Sequence, residues 1–160
     1  MKRLNNKGFT LIEVLAVVVI LSVLTAIMVP SVNYLIDMNK ENNYNDMRDG
    51  FIQATKVLFS DYRYEVAIDG TCSSNSDERN ILKVGDYTLT GSKVPIQVLV
   101  NENNVTVNES GNIVDPRDTE KILDLNNSYV LVKYQCNKKD FRYEIEVEQN
   151  GVVTDYLVWK

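Results

Sequence analysis

The chain reads as an α+β protein: a long N-terminal helix with a membrane-spanning first half, packed further along against an antiparallel β-sheet head. Three observations predict this. Phe9 to Val29 is an apolar run interrupted by one charged residue, Glu13; an apolar period of three and four follows from Tyr44 to Tyr62; and three β-rich runs fill the C-terminal third.

The apolar run comes first. It holds 21 residues, about 32 Å of helix, which is enough to cross the hydrocarbon core of a bilayer. Lys2, Arg3 and Lys7 precede it with no acidic residue among them, so the positive-inside rule places the N-terminus in the cytoplasm and the remainder outside. A secretory signal has a shorter apolar core followed by a small-x-small cleavage site, and Ala26-Ile27-Met28 is a poor match to one. Glu13 is the anomaly. A carboxylate inside a transmembrane helix is unfavourable and marks a functional position unless it lies shallow enough to reach the headgroups. Pro30 lacks an amide hydrogen and clashes with the preceding turn, which predicts a kink or a locally melted stretch over Ala26–Pro30.

Beyond Pro30 the stretch from Asn33 to Asn45 is rich in Asn, Asp, Lys and Glu, as suits a solvated segment. Tyr44, Met47, Phe51, Ala54, Leu58 and Tyr62 then recur at helical spacing, with Asp46, Arg48, Asp49, Gln53 and Lys56 opposite. One helix from about Thr10 to Tyr62 is expected, its second half covering a sheet with the apolar stripe. Gly50 weakens it by about 1 kcal/mol relative to alanine.

From Val66 to Val114 turn clusters at Asp69-Gly70, Cys72 to Asn80, Gly85-Asp86 and Asn101 to Asn104 surround short apolar runs such as Pro95 to Val100, so long loops are expected. Tyr129–Cys136, Phe141–Glu148 and Val152–Trp159 then read as an antiparallel meander, joined by Asn137–Asp140 and by the hairpin signal Asn150-Gly151. Phe141, Tyr143, Ile145 and Val147 alternate with Arg142, Glu144, Glu146 and Glu148, giving one covered face and one wet face.

Composition argues against catalysis. The chain has 160 residues, a formal net charge of −5 and no histidine, which removes the commonest general base and zinc ligand. Glu144, Glu146 and Glu148 form a solvent-facing row and not an acid/base pair. No P-loop, nucleophile elbow or Cys-x-x-Cys is present. An acidic chain disfavours nucleic-acid binding, so no specific nucleic-acid binding is expected, and Lys133, Lys138, Lys139 and Arg142 read as a solvated strand face and turn. No cofactor and no metal are expected: the amide-rich stretch Asn101 to Asn104 lacks the ligand spacing of a calcium loop. Cys72 and Cys136 are the only cysteines. Outside the cytoplasm such a pair is expected to form a disulfide, the alternative being two free thiols. Asn104-Val105-Thr106, Asn108-Glu109-Ser110 and Asn126-Asn127-Ser128 match the glycosylation sequon, a triplet that arises readily in an Asn-rich chain.

The run Lys7-Gly8-Phe9-Thr10-Leu11-Ile12-Glu13 resembles the processing site of type IV prepilins and of their relatives, the pseudopilins of type II secretion and the competence pilins. The resemblance covers roughly residues 2 to 35. It implies a leader, residues 1–8, removed after Gly8 by an aspartyl prepilin peptidase that also N-methylates Phe9; a hydrophobic assembly helix, residues 9–30; and an extracytoplasmic head, residues 31–160. Loss of the leader cations takes the side-chain charge from −5 to −8. Glu13 falls on the family's glutamate, which is thought to pair with the N-terminal amine of a neighbouring subunit, and Pro30 falls on the family's helix proline. The resemblance therefore implies a pilin-like fold, no enzymatic activity, and a subunit that waits in the cytoplasmic membrane and then joins a cell-surface pilus. Its implied partners are other pilin subunits, the peptidase, the assembly platform and the membrane. A type IV pilus subunit for adhesion, motility or surface attachment is expected, with a pseudopilin or a low-abundance minor pilin acting as a binding module as the alternative. In many pilins the disulfide pins a C-terminal loop, so the spacing of Cys72 and Cys136 departs from the common pattern.

Overall fold

A computed structural model describes residues 9–74, 77–149 and 152–160. Helix α1 spans Leu11–Asp61, 51 residues, within one residue of the expectation at each end. It continues unbroken through Ala26 and Val29, so the melted stretch expected there is not seen. A proline deletes one helical hydrogen bond, and the apolar residues on either side continue the helix across that gap. The packing of the Pro30 side chain lies outside the described residues.

The chain divides between Lys40 and Glu41 into two units. In the first, the apolar side chains of α1 are exposed from Leu11 to Met38. Its serine and threonine hydroxyls within the helix bond locally: Ser22 donates to the Val18 carbonyl at 2.7 Å, Thr25 to the Leu21 carbonyl at 2.7 Å and Ser31 to the Ile27 carbonyl at 3.4 Å.

The second unit is built on the rest of α1 and on ten strands among the described residues. Tyr44, Phe51, Ala54 and Leu58 of the predicted stripe are buried, with Met47 and Tyr62 packed at its margin. Thr55 is buried too, because its hydroxyl donates to the Phe51 carbonyl at 2.8 Å and leaves no orphan donor. The largest sheet has six strands: β1 (Val66–Ile68), β2 (Glu78–Val84), β3 (Tyr87–Thr88), β4 (Lys93–Pro95), β7 (Tyr129–Gln135) and β8 (Asp140–Glu144). Every pairing in it is antiparallel. β7 is its hub, pairing with β8 along one edge and with β2 and β4 along the other. Val130 and Val132 are wholly buried on its inward face. Phe59 of α1 meets the sheet edge-on, 5.0 Å from the Phe141 ring and 5.8 Å from that of Tyr143.

Two expectations require correction. The region from Val66 to Val114 is not loop throughout: between its loops it supplies β1 to β4, the short helix α2 (Ile96–Asn101) and the start of β5 (Val114–Asp115). β2 escapes a two-residue pattern because its buried residues, Ile81 and Val84, stand three apart, where a register shift opposite Ala67 and Ile68 skips Leu82. The three C-terminal runs are also not one meander. Phe141–Glu148 divides at Ile145, which is buried and whose carbonyl accepts the Tyr156 amide at 2.8 Å. Beyond it β9 (Glu146–Gln149) and β10 (Val152–Asp155) pair only with each other. Asn150 and Gly151, the expected turn, lie outside the described residues. The last residues run beside the segment after β6 (Asp118–Ile122), with Leu123 bridged to Trp159.

Gly85 turns β2 into β3 at φ 53°. A Cβ there would sit 2.6 Å from the Tyr62 ring, so both the backbone and the packing require glycine.

Candidate processing and assembly segment

Of the residues singled out in the N-terminal segment, Gly8 lies outside the described residues. Phe9 and Thr10 immediately precede α1, and Phe9 is 88% exposed. Glu13 sits in the first turn of α1 and folds back on Thr10. The Thr10 amide donates to Glu13 Oε2 at 2.7 Å, the Thr10 hydroxyl donates to the same oxygen at 2.8 Å, and the Glu13 amide donates to Thr10 Oγ1 at 3.4 Å. This reciprocal arrangement is a capping box, in which the N-cap residue and the third residue after it satisfy each other's free amides. The sequence carried its signal, Thr-x-x-Glu ahead of an apolar run, but read alone Glu13 stood out only as an unpaired charge.

The segment that follows is long and apolar enough to cross a membrane, and its apolar stretch is not buried. Leu11 to Met38 therefore presents an apolar surface with no cover among the described residues of its own chain.

In the second unit Cys72 and Cys136 form a disulfide across a sequence separation of 64, with their Cα atoms 5.7 Å apart. The bond joins the exposed loop after β1 to the buried end of β7. Free thiols, the alternative weighed from sequence, are therefore absent.

Several charged groups of this unit are engaged with one another. Arg142 bonds Glu78 at 3.1 Å and also Glu144, and Lys133 bonds Asn80, which breaks up the candidate basic patch. Glu146 pairs with Arg48, so the row of glutamates is partly an anchor to α1. Glu102, within the amide-rich stretch considered for calcium, accepts the hydroxyls of Tyr62 at 3.1 Å and Tyr87 at 2.6 Å. That bond pushes the Tyr87 hydroxyl up to about 12. Among the described residues no cluster of three or more Cys, Asp or Glu side chains is placed to hold a metal.

One cluster went unread in the sequence. Tyr44 donates to Asp155 of β10, Arg117 lies 3.2 Å from the centre of the Tyr44 ring, and Asp115 holds Arg117 at 3.0 Å. With the Arg48–Glu146 pair, these contacts fasten the β5–β6 and β9–β10 ribbons to α1. The residues are scattered over more than a hundred positions, so no local pattern announces them.

Residues 3–29 match the family model of the prokaryotic N-terminal methylation motif. The match supports a type IV pilin-like prepilin. It ends at the residue before Pro30 and covers none of the second unit. No curated protein and no solved structure matches the chain. The prepilin motif implies processing by a prepilin peptidase and assembly with other pilin subunits. It also fits membrane anchoring before assembly, which agrees with the uncovered apolar helix. The long helix followed by antiparallel sheet is itself a pilin-like arrangement.

Proposed function

We propose that the chain is a structural subunit of a type IV pilus, cleaved after Gly8, N-methylated at Phe9 and polymerised through the first half of α1. The observation that carries this reading is the placement of one carboxylate, Glu13, at the head of the apolar, uncovered first half of α1, inside a matched N-methylation motif. Cleavage creates an amine on Phe9 at the membrane surface. In a bundle of such helices the Glu13 carboxylate of one subunit and the Phe9 amine of its neighbour neutralise each other, and removal of one partner strands the other charge in an apolar setting. The pair also sets the axial register of the subunits. The head carries the disulfide and faces the exterior, and its role is structural and not catalytic.

Intact-mass and N-terminal peptide analysis of the chain from its native host tests this, with membranes and surface-sheared material analysed separately. A chain beginning at N-methyl-Phe9 and abundant in the sheared fraction is the expected result. The same mature chain confined to membranes instead favours a pseudopilin or a minor pilin. An intact chain from Met1 to Lys160 overturns the assignment.

A further inference from the structure

Among the described residues of the second unit five polar side chains are buried: Thr55, Ser92, Asp115, Asp124 and Ser128. Three of them, Ser92, Asp124 and Ser128, hold the two turns that wall one groove of about 430 Å³, where β4 meets the start of β7. The turn before β4 is fastened by Ser92. Its hydroxyl accepts the Ile81 amide at 2.8 Å and donates to Asn80 at 3.2 Å, and its carbonyl accepts the Val132 amide at 2.9 Å. Gly91 and Ser92 both stand at φ 63°, a conformation that serine adopts only when its surroundings hold it there. The turn before β7 is fastened by Asp124, whose Oδ1 accepts the backbone amides of Asn126 and Asn127 at 3.3 Å and whose Oδ2 accepts the Asn127 side-chain amide at 2.7 Å. Ser128 accepts the Val158 amide at 2.8 Å. Buried polar networks of this kind fix geometry.

The groups that these turns turn outward are uncommitted. The hydroxyls of Thr88 and Thr90 and the side-chain amide of Asn126 have no hydrogen-bond partner among the described residues, and all three residues are exposed. Between them the Lys93 ammonium lies 4.4 Å from the centre of the Tyr129 ring, which itself stacks on Tyr156 with centroids 4.7 Å apart. An aromatic face positions a cation without neutralising it. Lys93 forms no ion pair among the described residues, and no Asp or Glu lines the groove. The two grooves beside α1 instead mix their cations with carboxylates: Arg48 lies among Asp49, Glu144 and Glu146, and Lys56 shares its groove with Asp140. In a chain with 22 acidic and 17 basic residues, one cation is thus set apart among neutral hydrogen-bonding groups.

We infer that this groove binds an acidic saccharide, with the Lys93 ammonium on the carboxylate of a uronic-acid-type sugar and the Asn126, Thr88 and Thr90 side chains on its hydroxyls. Amides and hydroxyls each offer a donor and an acceptor, as a sugar hydroxyl does. The volume is that of a small-ligand site, and turns already fixed from beneath leave little to be ordered on binding. The groove lies within the second unit, so the inference does not depend on assembly through α1.

The test uses the full chain in a polyoxyethylene detergent, which carries neither sugar nor charge, titrated calorimetrically with digalacturonic acid, with the neutral disaccharide of galactose and with inorganic phosphate. Digalacturonic acid is expected to bind with a dissociation constant of about 1 mM or tighter. The neutral sugar is expected to bind about tenfold more weakly, the scale of one hydrogen bond to a charged group. Lys93→Gln should remove that preference, Asn126→Ala should weaken both sugars, and Lys138→Gln, which removes an exposed cation outside the groove, should change neither. Lys93 and Asn126 are exposed, so both variants are expected to fold. Binding of neither sugar overturns the inference. A preference for the acidic sugar that survives Lys93→Gln does so too, as does one that Lys138→Gln reduces equally, because the attraction is then diffuse. Phosphate that binds while neither sugar displaces it marks a simple anion site and overturns the saccharide assignment.

Discussion

Leu21 and Leu58 are the same residue type in the same helix, yet Leu21 is 56% exposed and Leu58 is fully buried. Around Leu58 the opposite face of α1 carries charge, and its single apolar stripe is covered by a sheet from the same chain. Around Leu21 the helix is apolar on every side and nothing in its own unit covers it. Burying a leucine side chain is worth about 1.5–3 kcal/mol. The head collects that energy when it folds, whereas the first half of α1 collects it only from lipid or from other helices. One helix thus serves two purposes: its second half specifies a tertiary structure and its first half offers an apolar surface to lipid or to other helices.

This contrast is open to direct attack. The largest effect is expected from Leu58→Ala, which should lower the unfolding free energy of the head by about 3–5 kcal/mol. Leu21→Ala should leave it within about 0.5 kcal/mol of wild type. Denaturant unfolding of the detergent-solubilised chain, followed by the fluorescence of Trp159, compares them, and similar losses from both would end the distinction. Next in size is the Cys72–Cys136 disulfide. Reduction, or replacement of both cysteines by serine, should cost the head about 4 kcal/mol by the loop-entropy relation, while insertion of the first half of α1 into membranes is unaffected. A membrane fraction that disappears with the disulfide would show the two regions to be coupled.

Smaller changes refine the contrast. Gly50 is exposed in α1, and a Cβ added there meets nothing within 4 Å. Gly50→Ala should therefore stabilise the head by about 1 kcal/mol, read from the same unfolding curve; no gain would mean that a neighbouring subunit or an unfolded-state effect governs that position. The mildest perturbation is acid. The Lys160 ammonium, 2.7 Å from Asp124, and then the Asn127 amide hold the Asp124 carboxyl down at about 2 against an ordinary 3.8. Because the folded value is depressed, this contribution is complete above pH 4 and is lost as pH falls toward 2. Lys160→Gln should make the acid limb of the stability curve shallower over that window, and an unchanged limb would remove Lys160 from the account.

The parts legible in advance share one property, that their signal is local. The ends of α1, the buried stripe from Tyr44 to Leu58, and the strand β7 all follow from a helical period or a β-rich run. The paired cysteines followed from their number and from the side of the membrane. What escaped depends on which distant segment lies alongside. Phe141, Tyr143, Ile145 and Val147 alternate without a break in sequence, yet the chain leaves one sheet and starts another at Ile145. Alternation reports which face is buried and is silent about the neighbouring strand. β2 was hidden for the converse reason, since its register shift erased the alternation itself. At the assembly segment the sequence marked Glu13 as important, while its local partner, Thr10, became clear only from the hydrogen bonds.

By itself, then, the sequence determined the membrane-length helix, its processing motif, the amphipathic switch after Asn45 and the existence of a β head, because each rests on composition and period within a few turns of chain. Only the tertiary structure decided the strand order around β7, the separation of the two ribbons and their attachment to α1 through Tyr44, Arg48 and Arg117. Those features are contacts between residues far apart in sequence, and a contact of that kind leaves no trace in either partner alone.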